Sequence, residues 1–350
     1  MQLTDFDFIL PESQIARVPA GRRDESRLCV FDRATKITQD RKFKDLCDFI
    51  RAGDLIVMND VRVIRARVEL ERPTGSRFEG LLIRVDGESV EIMADGAARI
   101  KPGESFPFVK DRSMRLEFLE RRGEAWAARV AGASGADWLE RIGSVPIPPY
   151  IRKARKRAGE SEAELEPLDR ERYQTVFAAE GAAVAAPTAG LHFTNELLNS
   201  IIQKNAKIVT IRLDVGPGTF ASIRVDNFKD HRIAPEQFDI SAETAAAINE
   251  TKNRGGRVFA VGTTTVRTLE YAVRETGSVA AGTGASDLFI YPDYKFKVVD
   301  ALITNFHLPQ STLLMLVCAF AGTRETLELY QHAVRENYRF YSYGDAMLIL

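Results

Sequence analysis

The chain has 350 residues, of which 45% are hydrophobic and 28% are charged, and its formal net charge is −1. This length and balance predict a globular protein with two domains, and the near-zero net charge argues against a globally basic nucleic-acid-binding protein. The three widely separated cysteines, Cys29, Cys47 and Cys318, argue against a disulfide framework and a structural zinc site. Neither a basic signal peptide nor an apolar run long enough for a bilayer is present, so we expect a cytoplasmic protein.

Apolar segments in the first 60 residues, such as RLCVFD and DLIVMND, have a pattern that is typical of an α/β domain. From residue 61 to residue 149 the sequence consists of short segments in which apolar and polar residues largely alternate. Turn residues such as Asp86-Gly87 and Arg122-Gly123 separate these segments. Six such segments at this spacing predict a small β-barrel or sandwich.

Strand-like and helix-like segments alternate from about residue 150 to residue 350. We expect strands that include AVAAP (183–187) and DLFIYP (287–292), and helices that Thr194, Ser241 and Ser311 cap. The predicted fold class is therefore α/β (mixed α+β). A discontinuous α/β domain, residues 1–60 and 150–350, carries an inserted small β-barrel domain, residues 61–149.

A charged segment, residues 151–172, follows the predicted barrel and has no evident apolar face. Charge runs of this kind are usually solvated flexible loops. The alternative is an arm that contacts phosphates and becomes ordered on binding RNA. Its candidate RNA-binding residues are Arg152, Lys153, Arg155 and Lys156.

Four stretches break local patterns where a strand ends and a helix begins, which is where ligands bind in open α/β sheets. They are APTAGLHFT (186–194), RLDVGPGTF (212–220), VGTTTVRTLE (261–270) and ITNFHLPQST (303–312). Small residues let a ligand approach the backbone, and helix N-terminal N–H groups favour an anion. His192 and His307 are the candidate side chains for chemistry, although a structural role for each histidine stays open.

Several common site types are missing from the sequence. No dinucleotide fingerprint, phosphate-binding loop, nucleophile elbow or Cys/His set with metal-ligand spacing is present. The residues alone therefore predict an α/β enzyme that needs no metal and binds a small polar ligand.

The same stretches resemble motifs of the S-adenosylmethionine:tRNA ribosyltransferase-isomerase family of queuosine biosynthesis. The similarity extends from RRDESRLCV (22–30) through GDLIVMNDVRVIRARV (53–68) and VFAVGTTTVRTLE (258–270) to YRFYSYGDAML (338–348). It implies an α/β domain with an inserted barrel. It also implies that the ribosyl group of S-adenosylmethionine is transferred to a 7-aminomethyl-7-deazaguanine at the wobble position of tRNA and is isomerised there. Adenine and methionine leave, and epoxyqueuosine forms.

The resemblance implies catalytic and S-adenosylmethionine-binding residues, no prosthetic group or metal, S-adenosylmethionine as co-substrate and tRNA as partner. Charge and alternation add candidate tRNA-binding residues, and we expect a monomer. The catalytic candidates are His192, His307, Asp214, His231 and Glu236. The S-adenosylmethionine-binding candidates are Pro187, Thr188, Ala189, Gly190, Gly216, Gly218, Gly262, Thr263, Thr264, Thr265, Arg267 and Asn305. The tRNA-binding candidates are Arg62, Arg65, Arg67, Arg152, Lys153, Arg155 and Lys156.

The chain departs from the family pattern around residues 212–238, where Asp214 and Ala234 stand at positions that the family usually fills with histidine. Two further interpretations follow. The protein could be a divergent member with an altered substrate, or it could bind tRNA without turnover.

Overall fold

The computed structural model describes residues 1–133, 137–179, 181–214, 216, 227–273 and 277–350. The strands within them are β1 (Arg27–Phe31), β2 (Thr38–Lys42), β3 (Leu55–Asn59), β4 (Arg67–Glu71), β5 (Arg77–Asp86), β6 (Ser89–Ala94), β7 (Ser105–Pro107), β8 (Arg115–Arg122), β9 (Ala125–Ala131), β10 (Lys207–Leu213), β11 (Glu236–Ile240), β12 (Val258–Val261), β13 (Gly282–Ser286), β14 (Ala301–Asn305) and β15 (Ala346–Ile349). The α-helices are α1 (Trp138–Ile142), α2 (Pro149–Arg157), α3 (Glu162–Arg172), α4 (Asn195–Gln203), α5 (Ala242–Asn253), α6 (Thr263–Ala272), α7 (Thr312–Ala321) and α8 (Thr323–Arg335).

The strands form two sheets, and the predicted mixed α+β class is confirmed. The larger sheet has nine strands in the order β13-β11-β10-β3-β12-β14-β15-β1-β2, and its centre, from β10 to β14, is parallel. The smaller sheet has six antiparallel strands in the order β4-β5-β6-β9-β8-β7. A bridge between Leu70 and Phe108 brings its two ends together, so this sheet is a nearly closed barrel.

All six barrel strands lie between the predicted insertion bounds, residues 61 and 149. Helix α1 follows them, and its residues Trp138, Leu139 and Ile142 are part of the barrel core. The two domain boundaries themselves stay a prediction.

Successive side chains point to opposite faces of a strand, and the central strands β3, β12 and β14 are buried at every position, so both faces of the larger sheet are covered. In β3, Leu55 and Val57 pack into the core that α5, α6, α7 and α8 cover. Ile56 and Met58 point to the opposite core, which α4 and a 3-10 helix at Phe43–Phe49 cover. This packing leaves the ends of the strands, and the loops that follow them, available for a site.

Two predicted strands are absent from the described chain. AVAAP contributes only an isolated bridge between Ala183 and Val63 and then enters a 3-10 helix, Thr188–His192. Pro187 has no N–H to donate to a neighbouring strand. DLFIYP forms no strand, and the carbonyl of Leu288 within it accepts a hydrogen bond from Arg267 Nε at 3.0 Å.

The charged segment at 151–172 is also different from the expected flexible loop. It forms most of α2 and all of α3, and Arg155 ties the two helices together. The Arg155 guanidinium binds both carboxylate oxygens of Asp169, at 2.6 and 2.8 Å, and the pair is buried. A buried bidentate pair holds its partners firmly, because breaking it would leave a buried charge without a partner. In the part of the chain that the structure describes, no helix has the length and apolar character that a membrane span requires.

Candidate active site

A cavity of about 360 Å³ opens at the carboxyl ends of the parallel neighbours β12 and β14. Its wall combines the loop before the 3-10 helix 188–192, the start of α6 and the stretch from Thr304 to Leu313. Three of the four stretches singled out in the sequence therefore meet at one place. Adjacent carboxyl ends of parallel strands form the common ligand site of open α/β sheets, and this volume is typical of small-molecule sites.

The N-terminus of α6 forms one side of the cavity. Gly262 precedes the helix with φ 94°, a left-handed conformation that glycine adopts without strain, and it provides no side-chain cap. The N–H groups of the first turn have no acceptor within the helix. Thr263 and Thr264 line the cavity there, so the site offers N–H and hydroxyl groups and the positive end of a helix dipole.

Two buried carboxylates anchor α6. Arg267 lies 2.8 Å from Glu236 of β11, and neither residue lines the cavity. Glu270 accepts backbone N–H groups from Lys297, Val298 and Val299 at 2.9–3.0 Å. Arg267 and Glu236 thus pair with each other outside the cavity wall and join α6 to β11.

His307 lines the cavity at the end of β14. Its Nε2 is 2.9 Å from Thr304 Oγ1, and the other ring nitrogen, Nδ1, has no partner among the described residues. Burial lowers the pKa of His307 to about 3, so the imidazole is neutral at physiological pH. In the tautomer that donates from Nε2 to Thr304, Nδ1 presents a lone pair and can accept a proton.

His192 lies behind the cavity wall, in a buried chain of hydrogen bonds. Its Nδ1 is 2.7 Å from Ser26 Oγ and its Nε2 is 3.1 Å from Asn305 Nδ2. Its ring stacks on Phe43, with 5.0 Å between the ring centroids. Burial is the main cause that lowers the pKa of His192 to about 3, and nearby Arg339 adds to the effect.

The cavity gathers about half of the predicted S-adenosylmethionine-binding residues. Those that line it are Pro187, Thr188, Ala189, Gly262, Thr263, Thr264 and Asn305. Gly190 instead lies against Phe177, so close that a Cβ at this position would come within 2.8 Å of the ring. The hydroxyl of Thr265 donates to the carbonyl of Val261 at 2.7 Å and is occupied within the helix.

Among the predicted residues around 212–238, those that the structure describes do not line the cavity. Asp214 is exposed at the end of β10, and its N–H donates to the carbonyl of Gln237. His231 packs its ring edge-to-face with Phe289, and burial lowers its pKa. Gly216 lies in the same region outside the cavity wall, and Gly218 lies outside the described residues.

Known proteins resemble this chain over its whole length. The model of a family described as queuosine biosynthesis protein matches residues 3–349. The chain belongs to this family. It is 47% identical over 353 residues to the S-adenosylmethionine:tRNA ribosyltransferase-isomerase of Trichlorobacter lovleyi. It is 48% identical over 354 residues to the protein of that name from Pelobacter propionicus, and both alignments cover 100% of each chain.

A solved structure supports the same relationship. The crystal structure of an S-adenosylmethionine tRNA ribosyltransferase from Thermotoga maritima matches with a TM-score of 0.56 at 33% identity. The match covers 99% of this chain and 100% of the other. The family resemblance predicted from the motifs is therefore confirmed.

Several residues that line the cavity come from distant segments of the chain, and the sequence did not identify them as site residues. Tyr150 of α2 and Tyr341 lie in the wall, with their ring centroids 4.7 Å apart. Asp7 and Ser342 are also part of the wall. The YRFYSYGDAML motif contains Tyr341, whose φ of 73° is rare for a tyrosine, but the sequence does not reveal that conformation.

Most of the predicted tRNA-binding arginines bind carboxylates or carbonyl groups of the protein itself. Arg65 lies near Glu140 and Glu166, and Arg67 lies 2.6 Å from Glu162. Arg152 binds Glu79 and Glu162, Arg62 donates to the carbonyls of Ala178 and Ala179, and Arg155 is buried. The Arg155 guanidinium is thus occupied by Asp169 in this conformation. Among the predicted tRNA-binding residues of α2, Lys153 and Lys156 are the exposed cations.

One group of side chains in the described residues has spacing suited to a metal ion. Cys29, Asp40 and His332 place their ligand atoms within 4.8 Å of one another at the β1–β2 edge. Asp40 already lies 3.1 Å from His332 Nε2 and 3.7 Å from the Arg27 guanidinium, and it accepts a hydrogen bond from Tyr338. These protein partners satisfy the Asp40 carboxylate, and the positive charge of Arg27 would repel a metal ion at this place.

Proposed function

We propose that this protein transfers the ribosyl group of S-adenosylmethionine to a 7-aminomethyl-7-deazaguanine at the wobble position of tRNA and isomerises it to the epoxycyclopentane of epoxyqueuosine. Adenine and methionine are the released products. The observation that carries this proposal is the identity of 47–48% over the full length of proteins named as S-adenosylmethionine:tRNA ribosyltransferase-isomerase. The cavity, which three of the motif stretches line together, is the proposed active site.

Its chemistry suits S-adenosylmethionine. The first turn of α6 offers N–H groups and the hydroxyls of Thr263 and Thr264 to an anion. The aromatic rings of Tyr150 and Tyr341 are in the same wall, and aromatic faces attract onium cations such as a sulfonium. A ligand that joins a carboxylate to a sulfonium matches both features.

We assign proton transfer to His307. The acceptor amine must be neutral before it can attack the ribosyl carbon, and a neutral imidazole can take its proton. His307 is the histidine that lines the cavity, and its buried, neutral ring has Nδ1 available. Asp214, His231 and Glu236 lie outside the wall, and we give them no part in this step.

The further features of the proposal come from the family chemistry. The sulfonium itself activates the neighbouring ribose carbon and makes methionine a leaving group, so we propose that the reaction needs neither a prosthetic group nor a metal ion. We also propose a monomeric, cytoplasmic enzyme. Lys153 and Lys156 are proposed to contact tRNA phosphates, and Lys153 lies one turn along α2 from the cavity residue Tyr150.

The test is a reaction with S-adenosylmethionine and an anticodon stem-loop that carries the aminomethyl-deazaguanine. Adenine is quantified by chromatography, and the modified nucleoside is identified by mass. Release of adenine with the matching gain in RNA mass is the expected result. Binding of both substrates without adenine release would favour a tRNA-binding protein that has lost turnover, and adenine release with another RNA product would favour a divergent acceptor.

A further inference from the structure

The side-chain carbonyl of Asn305 is a buried acceptor without a partner. Asn305 is 2% exposed, and its Oδ1 has no hydrogen bond within the described structure. The residue belongs to the wall of the cavity. A buried carbonyl oxygen that no protein group satisfies costs free energy, and a ligand with an N–H or O–H donor would remove that cost.

The orientation of this amide is determined by its surroundings. Asn305 Nδ2 lies 3.1 Å from the carbonyl oxygen of Tyr341 and 3.1 Å from His192 Nε2. A flipped amide would place two carbonyl oxygens against each other, so Nδ2 must be the atom that faces Tyr341. The carbonyl Oδ1 is consequently the atom of this amide that no described protein group satisfies.

The same contacts determine the state of His192. Because Asn305 Nδ2 donates to His192 Nε2, that nitrogen carries a lone pair, and the proton of the neutral ring is on Nδ1. Nδ1 then donates to Ser26 Oγ at 2.7 Å, and Ser26 donates to the carbonyl of Arg23 at 3.1 Å. The lone pair of the ring is already used, so His192 holds Asn305 in place and takes no proton from a substrate.

Asn305 lies next to the N-terminus of α6. The N–H of Gly262 donates to the carbonyl of Ile303 at 2.8 Å, and β12 pairs with β14 in parallel. Neighbouring strands are about 4.8 Å apart, so the first turn of α6 and the end of β14 face one ligand group. One partner binds an anion, and the other accepts a hydrogen bond.

An α-amino acid carries its carboxylate and its ammonium on one carbon atom, and it matches this pair of partners. We propose that the amino-acid end of S-adenosylmethionine binds here. The carboxylate contacts the first-turn N–H groups of α6, the ammonium donates to Asn305 Oδ1, and His192 is the positioning residue for Asn305. This inference rests on the proposed function, since it assigns one subsite of that cavity.

Calorimetric titration tests it with three ligands: S-adenosylmethionine, decarboxylated S-adenosylmethionine and the analogue with a 2-oxo group in place of the amine. The wild type is titrated with and without the RNA stem-loop. We expect either analogue to bind at least ~10-fold more weakly, as for loss of a charge-assisted hydrogen bond. Asn305→Ala should weaken S-adenosylmethionine by at least ~10-fold and the 2-oxo analogue by less than about 3-fold, since the partner of Oδ1 is missing there.

The His192 variants test the positioning role. His192→Phe keeps a ring against Phe43 but removes the acceptor for Asn305, and it should reproduce the Asn305→Ala pattern. His192→Gln keeps an acceptor and should restore discrimination between the two ligands. Asn59→Ala is the matched control, because Asn59 is a buried β3 asparagine outside the cavity wall whose amide oxygen and nitrogen both have protein partners. It should lower thermal stability and leave the ratios of affinities unchanged.

Each outcome decides between the two proposals. Equal binding of S-adenosylmethionine and its decarboxylated form overturns the subsite, as does an Asn305→Ala loss that is the same for the amino and 2-oxo ligands. No binding of S-adenosylmethionine by the wild type, with or without RNA, overturns both proposals. Discrimination as expected with no turnover supports the subsite and overturns the proposed reaction.

Discussion

Asn305 Nδ2 donates to His192 Nε2 across 3.1 Å, and this contact joins the end of β14 to the 3-10 helix that ends at His192. It makes His192 an acceptor with no free lone pair, although the sequence suggests it as a base. His307, which follows Asn305 by two residues, has an available Nδ1 and lines the cavity. The two histidines of the predicted pair therefore have different environments, and their variants are expected to behave differently.

The buried state of His192 predicts a loss of stability in acid. Its pKa is about 3 in the folded protein against an ordinary value of 6.5, so the unfolded chain binds the proton first as pH falls. The free energy of unfolding should fall by about 2 kcal/mol between pH 7 and pH 5 from this residue alone. Urea denaturation of the wild type and of His192→Gln measures it. The variant should lose about 2 kcal/mol less over this interval, and parallel curves would contradict the prediction.

Replacing His307 should affect turnover and leave the fold intact. We expect His307→Gln to lower kcat by at least ~100-fold, the range of general acid–base catalysis. Burial holds the pKa of His307 near 3, so its protonation should not reduce the wild-type rate near pH 6.5.

Single-turnover adenine release, recorded from pH 5 to pH 8, is the measurement for His307. His332→Gln is the control, since His332 lies against Asp40 outside the cavity wall. Near-normal turnover of His307→Gln would return this histidine to a structural role.

Two neighbouring threonines of α6 provide a matched pair. Thr264 lines the cavity, and its hydroxyl has no partner within the described residues, whereas the Thr265 hydroxyl is bonded to Val261. Thr264→Val should weaken S-adenosylmethionine binding about 2- to 10-fold, the range for one hydrogen bond. Thr265→Val should change the affinity less than 2-fold. Calorimetry of both variants checks this, and a wild-type affinity of Thr264→Val would show that its hydroxyl makes no contact with the ligand.

The cations of α2 should separate RNA binding from stability. Lys153 and Lys156 are exposed, so Lys153→Ala/Lys156→Ala should weaken tRNA binding and reduce the slope of log K against log salt by about 1 for each lost phosphate contact. Arg155 is buried against Asp169, so Arg155→Lys should lower the free energy of unfolding by about 3 kcal/mol and leave the slope unchanged. Filter binding at several salt concentrations, with thermal melting, makes the comparison. If the double lysine variant had the same salt slope as the wild type, contacts between these lysines and tRNA phosphates would be excluded.

Local patterns in the sequence predicted the features that depend on near neighbours. Thr194, Ser241 and Ser311 each accept the N–H of the residue three positions later, as their capping patterns predict. Alternation also predicts the barrel strands. These features are determined within a few residues, because backbone hydrogen bonds and side-chain periodicity act over that distance.

Tertiary structure alone decided what each polar side chain does. Arg267 follows a threonine-rich helix start and suggests a ligand contact, but the strand order places buried Glu236 beside it. Arg155 stands in a charge run, but α3 brings Asp169 against it. His192 and Asn305 are 113 residues apart and meet only because the sheet places their segments together. The sequence was enough to predict the family, the helix caps, the barrel strands and three of the stretches that line the cavity. Only the folded chain decided which residues are free to bind and react, because that depends on partners distant in the sequence.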